Sequence, residues 1–114
     1  MPTLFLIEDE ATLAKNIERY LERYDWDVEI AGSAEDALQR VAAIAPDIIM
    51  LDFNLPGMDG LAALSILRER DPQARIVMLT GHANVQLAVD AMKAGLTDFI
   101  AKPVVLADLK RTLD

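Results

Sequence analysis

The chain has no cysteine, no surplus of positive charge and no long hydrophobic run, and each absence closes off a class of protein. Without cysteine there is neither a disulfide scaffold nor a thiolate metal site, which fits a reducing compartment. The balance of 19 acidic residues against 11 Lys and Arg, a formal charge of −8, leaves no basic stripe to hold a phosphate backbone, so direct nucleic-acid binding is not expected. The apolar start, Met1 to Ile7, is broken at once by Glu8, Asp9 and Glu10. It is too short for the core of a signal peptide and far too short for a bilayer, so a soluble, cytoplasmic protein is expected and no membrane partner. No low-complexity tract or linker interrupts the sequence, and 114 residues, 53% of them hydrophobic, suffice for one core and not two.

What is present is a repeat: five short apolar runs alternate with stretches whose apolar residues recur at spacings of three and four. Leu4 to Ile7 reads as the first strand, and the helix after it would turn Leu13, Ile17, Leu21 and Tyr24 inward. Trp26 to Ala31 alternates Val28 and Ile30 with Asp27 and Glu29, the pattern of an edge strand covered on one side, with Trp26 packing at its start. Ser33 with Asp36 is a capping-box variant opening a helix through Leu38, Val41 and Ile44 that Pro46 stops. Ile48 to Leu51, apolar throughout, reads as a central strand buried on both faces, ending in Asp52. Beyond the loop Asn54 to Gly60, in which Asp59 and Gly60 shape the turn and cap, a helix holds Leu64 and Leu67 and closes at Asp71-Pro72. Ile76 to Leu79 leads to Thr80, and a fourth helix runs from Asn84, a capping residue, through Val85, Ala88, Val89 and Met92 to Gly95. Phe99 to Ala101 leads to Lys102-Pro103, and Leu106, Leu109 and Leu113 fit a fifth helix cut short by the chain's end, as in a piece of something longer.

Such βα units imply right-handed crossovers and a parallel sheet with helices on both faces. Ligands in these folds sit beyond the carboxyl ends of the strands. The polar residues that break the pattern fall at those ends: Glu8 and Asp9 after the first strand, Asp52 after the third, Thr80 after the fourth and Lys102 after the fifth. In the strand order 2-1-3-4-5 they converge on one crevice. Three carboxylates brought together either raise their pKa values or recruit a cation, and Mg²⁺ with its preference for oxygen is the natural partner. Asp9 and Asp52 could be its carboxylates, with the Asn54 backbone carbonyl completing the set and Glu8 acting directly or through water. Lys102 and the Thr80 hydroxyl could steady a phosphoryl group in transfer, and Asp52, at the end of the most buried strand, is the best candidate to attack it.

The acidic pair Glu8-Asp9, the segment DIIMLDFNLPGMDG around Asp52, LTGHA at Thr80 and DFIAKP at Lys102-Pro103 together resemble the receiver domain of bacterial two-component response regulators. The match spans residues 1–114 in one order. It implies a flavodoxin-like doubly wound (βα)5 sandwich with a five-stranded parallel sheet, and Asp52 as phosphoacceptor from a sensor histidine kinase. It further implies Mg²⁺ held by Glu8, Asp9, Asp52 and the Asn54 carbonyl, Thr80 and Lys102 reading the phosphoryl group, and a cis bond before Pro103. In that family Thr80 would move toward the phosphoryl group and Phe99 would rotate inward, changing the face made by the fourth helix, fifth strand and fifth helix, with Ala83 beside it. A second copy of the chain, a partner or an output domain would read that face. The stretch GHANVQLAVDAMKAGLTDFIAKP further resembles receivers of the nitrogen-regulatory class of transcriptional activators. One departure is Glu8, where the family often carries Asp.

Blander readings stand beside these. Glu10 reads as a helix-capping carboxylate and Phe99 equally as core packing. His82, the only histidine, reads as a solvated loop residue that could, like Asn54, tune loss of the phosphoryl group. Such a module would catalyse only its own phosphorylation and hydrolysis. The rivals are a Mg²⁺-dependent phosphohydrolase with an aspartyl nucleophile, which wants an acid where Asn54 stands, a flavin carrier, which Glu8-Asp9-Glu10 would repel, and a degenerate receiver acting by contact alone.

Overall fold

In the computed structural model, which describes residues 1–81 and 85–114, the chain alternates strands and helices throughout. The strands are β1 (Thr3–Ile7), β2 (Asp27–Ala31), β3 (Ile48–Asp52), β4 (Arg75–Thr80) and β5 (Asp98–Ala101). The helices are α1 (Ala11–Glu22), α2 (Ala34–Ile44), α3 (Gly60–Arg70), α4 (Val85–Lys93) and α5 (Leu106–Leu113). All strand pairs are parallel, in the order β2-β1-β3-β4-β5. This is the parallel sheet of βα units that the sequence pattern predicts and the doubly wound, flavodoxin-like fold that the resemblance implies.

Alternation along the strands divides the core in two. Phe5, Ile7, Ile49, Leu51, Ile76 and Met78 face α2, α3 and α4, whereas Leu4, Leu6, Ile48, Met50, Val77 and Leu79 face α1 and α5. β3 is buried at every position, consistent with a strand covered on both faces. Trp26 closes the second cluster beside α1.

Local chemistry sets most of the ends. Ser33 Oγ accepts from the Asp36 N–H at 3.1 Å, an N-cap for α2. The reciprocal half of a capping box is replaced by an ion pair, Asp36 Oδ2 to Arg40 Nη1 at 2.9 Å. Asp59 Oδ1 caps α3 by accepting from Leu61 and Ala62 N–H. Gly95 takes φ +105°, the left-handed conformation expected of a residue just past a helix end.

Three expectations need correction. Tyr24 lies past the end of α1 and is 46% exposed; Ala14 takes the inward place with Ile17 and Leu21, a small side chain letting the helix approach the sheet closely. Glu10 stands at the N-cap of α1, but its side chain makes no capping hydrogen bond. Strands one, two, four and five differ by a residue or so from their apolar runs, since ladder bonds, not hydropathy, end a strand.

The sheet's outer edges are each tied off by a side chain. On β2, Ala31 O accepts from Glu8 N, so Ile30 turns its carbonyl outward, where Arg40 Nη1 donates to it at 2.8 Å. On β5, Lys102 N donates inward to Thr80 O, and Phe99, of opposite parity, has its N–H taken by Asp98 Oδ1 at 2.8 Å.

Candidate functional site

The register lines up the carboxyl ends of the inner strands: Ile7 pairs with Leu51, Asp52 with Leu79, and Thr80 with Ala101. Residues immediately past those pairs therefore meet. Oxygens of Glu8, Asp9 and Asp52 lie within 4.8 Å of one another. Glu8 and Asp52 are buried at 2% exposure each, while Asp9 opens to solvent. The Lys102 ammonium enters from β5, 3.2 Å from Asp52 Oδ2 and 3.2 Å from Glu8 Oε1. The Lys102-Pro103 peptide bond is cis.

Asp52 is held on both sides. Its Oδ1 accepts from the Asn54 N–H at 3.0 Å, and its Oδ2 from Lys102. Burial pushes its pKa up, but the hydrogen bond with Glu8, the Asn54 N–H and the Lys102 charge outweigh burial and hold it below the ordinary 3.8. Burial likewise works against the Lys102 charge and is outweighed by Asp52 and then Glu8, so its pKa is raised and the ammonium persists.

Glu8 carries the cost of this arrangement. Its Oε2 accepts from the Glu10 N–H at 3.3 Å, but Oε1, although 3.2 Å from Lys102 Nζ, has no hydrogen bond of acceptable angle. Burial first, then the hydrogen bond to Asp52 and the Asp52 charge, push Glu8 up to about 7. A proton on Glu8 turns the orphaned oxygen into a donor toward Asp52, and a cation would satisfy it equally well.

Thr80 ends β4, 1% exposed, and its carbonyl accepts from Lys102 N at 2.9 Å. Phe99 is half-buried beside Met78 against the first core cluster. The site thus gathers Glu8, Asp9, Asp52 and Lys102 around one point with Thr80 adjoining, and leaves Phe99 a turn of strand away. His82, Ala83 and Asn84 lie outside the described residues. The Asn54 N–H, which fixes Asp52, escaped sequence reasoning because backbone donors carry no residue signature.

Residues 4–114 match the model of the response regulator receiver domain. The chain belongs to that family. Receiver domains are signalling domains rather than metabolic enzymes, and they bind Mg²⁺ at an acidic pocket; in this chain Glu8, Asp9 and Asp52 form an acidic cluster at the strand ends. The receiver domain is similar to the regulatory protein LuxO of Vibrio cholerae, 36% identical over 96% of this chain and 24% of the relative. It is 38% identical to the C4-dicarboxylate transport transcriptional regulatory protein DctD of Rhizobium meliloti, over 90% of this chain and 22% of the relative. The nitrogen assimilation regulatory protein NtrX of Azorhizobium caulinodans is 36% identical over 88% and 22%, in line with the resemblance to nitrogen-regulatory receivers. The chain thus spans about a quarter of the length of these relatives. Among solved structures, a response regulator of Burkholderia pseudomallei with a phosphorylated aspartic acid, a calcium ion and citrate superimposes with a TM-score of 0.92 at 31% identity, over 100% of this chain and 67% of that one. Among the described residues, no helix is long and apolar enough to cross a membrane.

Proposed function

We propose that this receiver domain accepts a phosphoryl group on Asp52 from a histidine kinase and signals through the face made by α4, β5 and α5. The observation that carries the reading is the placement of Lys102 Nζ at 3.2 Å from Asp52 Oδ2 while Asn54 N–H holds Oδ1, which presents a buried, ionised and oriented carboxylate.

The residues present fit Mg²⁺: the donors are hard oxygens, and Glu8 Oε1 is buried without a hydrogen-bond partner. Asp9, Asp52 and the Asn54 carbonyl would hold it, with Glu8 directly or through water; when bound it neutralises phosphoryl oxygens and the crowded carboxylates. An oxygen of Asp52 forms the bond to phosphorus as the bond from phosphorus to the donor imidazole breaks, its electron pair leaving on that nitrogen. Lys102 opposes the charge on the equatorial oxygens, and the Thr80 hydroxyl donates to one of them. Hydrolysis of the resulting acyl phosphate by water resets the domain, and Asn54, whose N–H holds Asp52 Oδ1, and His82, two residues after Thr80 in the sequence, tune its rate.

The added group brings roughly −1.5 to −2 charges, which biases an existing two-state equilibrium. Thr80 moves toward it and Phe99 turns inward into the vacated space. The face they alter carries exposed Val85, Val89, Met92 and Val105 and a groove of about 420 Å³ along β5 and α5. A second copy of the domain or an attached output domain would read it. The relatives' names as regulatory and transcriptional regulatory proteins support control of transcription, and a cytoplasmic location is consistent with the response regulator family. Asn54, where an aspartyl phosphohydrolase wants a general acid, disfavours that rival.

The test is native intact mass after incubation with Mg²⁺ and acetyl phosphate. A phosphoryl-sized gain lost in Asp52→Ala and lost without Mg²⁺ is the expected result. No gain in folded protein that binds Mg²⁺ would make the domain one that acts by contact alone. Thr80→Ala should take up phosphoryl and fail to alter the α4 face.

A further inference from the structure

We infer that Arg68 pins the C-terminal end of α4 to α3 and the turn that leads into β4, so that a signal from Asp52 swings α4 about that end rather than displacing it bodily. This rests on the phosphorylation reading above and makes Arg68 a positioning residue for the switch.

The observation is a single guanidinium that gathers the carbonyls of two separate segments. Arg68 Nε and Nη2 donate to Gly95 O at 3.2 and 2.8 Å. Its Nη1 faces the carbonyls of Ala74, Pro72 and Asp71 at 2.6, 3.1 and 3.3 Å. The first belongs to Gly95, just past the end of α4; the other three form the turn leading from α3 into β4. The planar fork of arginine suits such a bridge, which a lysine's compact ammonium cannot span.

The same end of α4 is secured in other ways. Leu96 N donates to Ala91 O and Gly95 N to Met92 O, the paired bonds of a left-handed helix stop. Thr97 N donates to Ile76 O at 2.8 Å while Ile76 N donates to Thr97 Oγ1 at 3.0 Å, so the next residue is locked to β4 in both directions. A Cβ on Gly95 would stand 3.0 Å from Arg68 Cγ and Nε, so the missing side chain leaves the space the guanidinium stem occupies.

Along its length, in contrast, α4 buries little side chain. Ala91 is its one buried residue, and Val85, at the end nearer Thr80, is 82% exposed. Arg68 and Gly95 sit at the amino ends of β4 and β5, and Thr80 and Lys102 at the carboxyl ends. A rearrangement that starts at Thr80 therefore meets a helix whose far end is fastened by Arg68 and by the bonds of Gly95 to Thr97.

Residue-resolved hydrogen exchange, with and without Mg²⁺ and beryllofluoride, tests this in wild type, Arg68→Met and Arg68→Lys, the last serving if Arg68→Met fails to fold. At rest, both substitutions should speed exchange of the Gly95 and Leu96 amides by about tenfold while β3 amides are unchanged. With beryllofluoride, wild type should change at Val85 to Ala88 and stay fixed at Gly95 and Leu96, and in the variants the change should run through Leu96. A merely structural role would lower stability without moving that boundary. Unchanged resting exchange at Gly95 and Leu96 in the variants, or a wild-type response as large there as at Val85, would overturn the proposal. Native mass reports bound beryllofluoride separately: its absence would remove the phosphorylation reading and the motion with it, while the resting comparison alone decides whether Arg68 is the pin.

Discussion

The Lys102 ammonium sits 3.2 Å from Asp52 Oδ2. It lies as close to Glu8 Oε1, so one cation is divided between Asp52 and its buried neighbour.

Removing that cation separates its two roles. Lys102→Met should bind Mg²⁺ several-fold more tightly in a calorimetric titration, because a competing positive charge is gone. Phosphoryl uptake from acetyl phosphate, followed by mass, should slow by about 100-fold or more, because the charge on the equatorial oxygens is no longer opposed. Uptake at the wild-type rate would remove Lys102 from the transfer step.

Acidity gives a second handle. In the metal-free protein burial, with the hydrogen bond to and charge of Asp52, raises Glu8 to about 7 from 4.5. Between those values the folded state keeps a proton that the unfolded chain has released, so this contribution to stability is whole below 4.5 and lost as pH rises to about 7. Asp52 has the opposite sign: its lowered pKa contributes stability above 3.8 that disappears as pH falls below that value. Urea denaturation without metal should therefore show stability declining across the Glu8 window, and Glu8→Gln should flatten the decline. Mg²⁺ binding below about pH 7 should release a proton, visible as a dependence of binding heat on buffer ionisation. A flat profile in wild type would place the proton elsewhere.

Gly60 opens α3 under Phe53. A Cβ there would lie 2.5 Å from Phe53 Cδ2 and 2.9 Å from the Phe53 carbonyl oxygen. Gly60→Ala should destabilise by about 1–3 kcal/mol through overpacking and weaken Mg²⁺ binding, since the displaced backbone runs between Asp52 and Asn54. Phe53→Leu should not rescue it, because the backbone oxygen remains in the way; thermal melts of the single and double variants decide.

The cap of the same helix should act on stability alone. Asp59 Oδ1 accepts from Leu61 N at 2.7 Å, and Asp59→Ala should cost about 1 kcal/mol in urea denaturation. Phosphoryl uptake at saturating Mg²⁺ should be unchanged; a lost uptake would give Asp59 a part in the site.

The strands and the residues that end them were legible because burial on both faces forces uninterrupted apolar runs, against which Glu8, Asp52, Thr80 and Lys102 stand out. Helix faces were less so. Tyr24 continues the spacing of Ile17 and Leu21, but α1 stops at Glu22 and Ala14 takes the inward position, a choice made by the closeness of the sheet and not by hydropathy. The two arginines that organise loops and edges, Arg68 and Arg40, were invisible for another reason. The acceptors of Arg68, and the edge acceptor of Arg40 at Ile30, are backbone carbonyls, supplied by whatever residues the fold brings there.

The stoppered edges of the sheet restrict how the domain can meet other molecules. An extended segment approaching β2 finds the Ile30 carbonyl already spent on Arg40, and one approaching β5 finds the Phe99 N–H spent on Asp98. Growth of the sheet by addition of a foreign strand must first break one of these bonds, which discourages uncontrolled polymerisation through a sheet that otherwise has two open edge strands. Association is thereby steered toward helical surfaces, where a partner can dock and leave without extending the sheet.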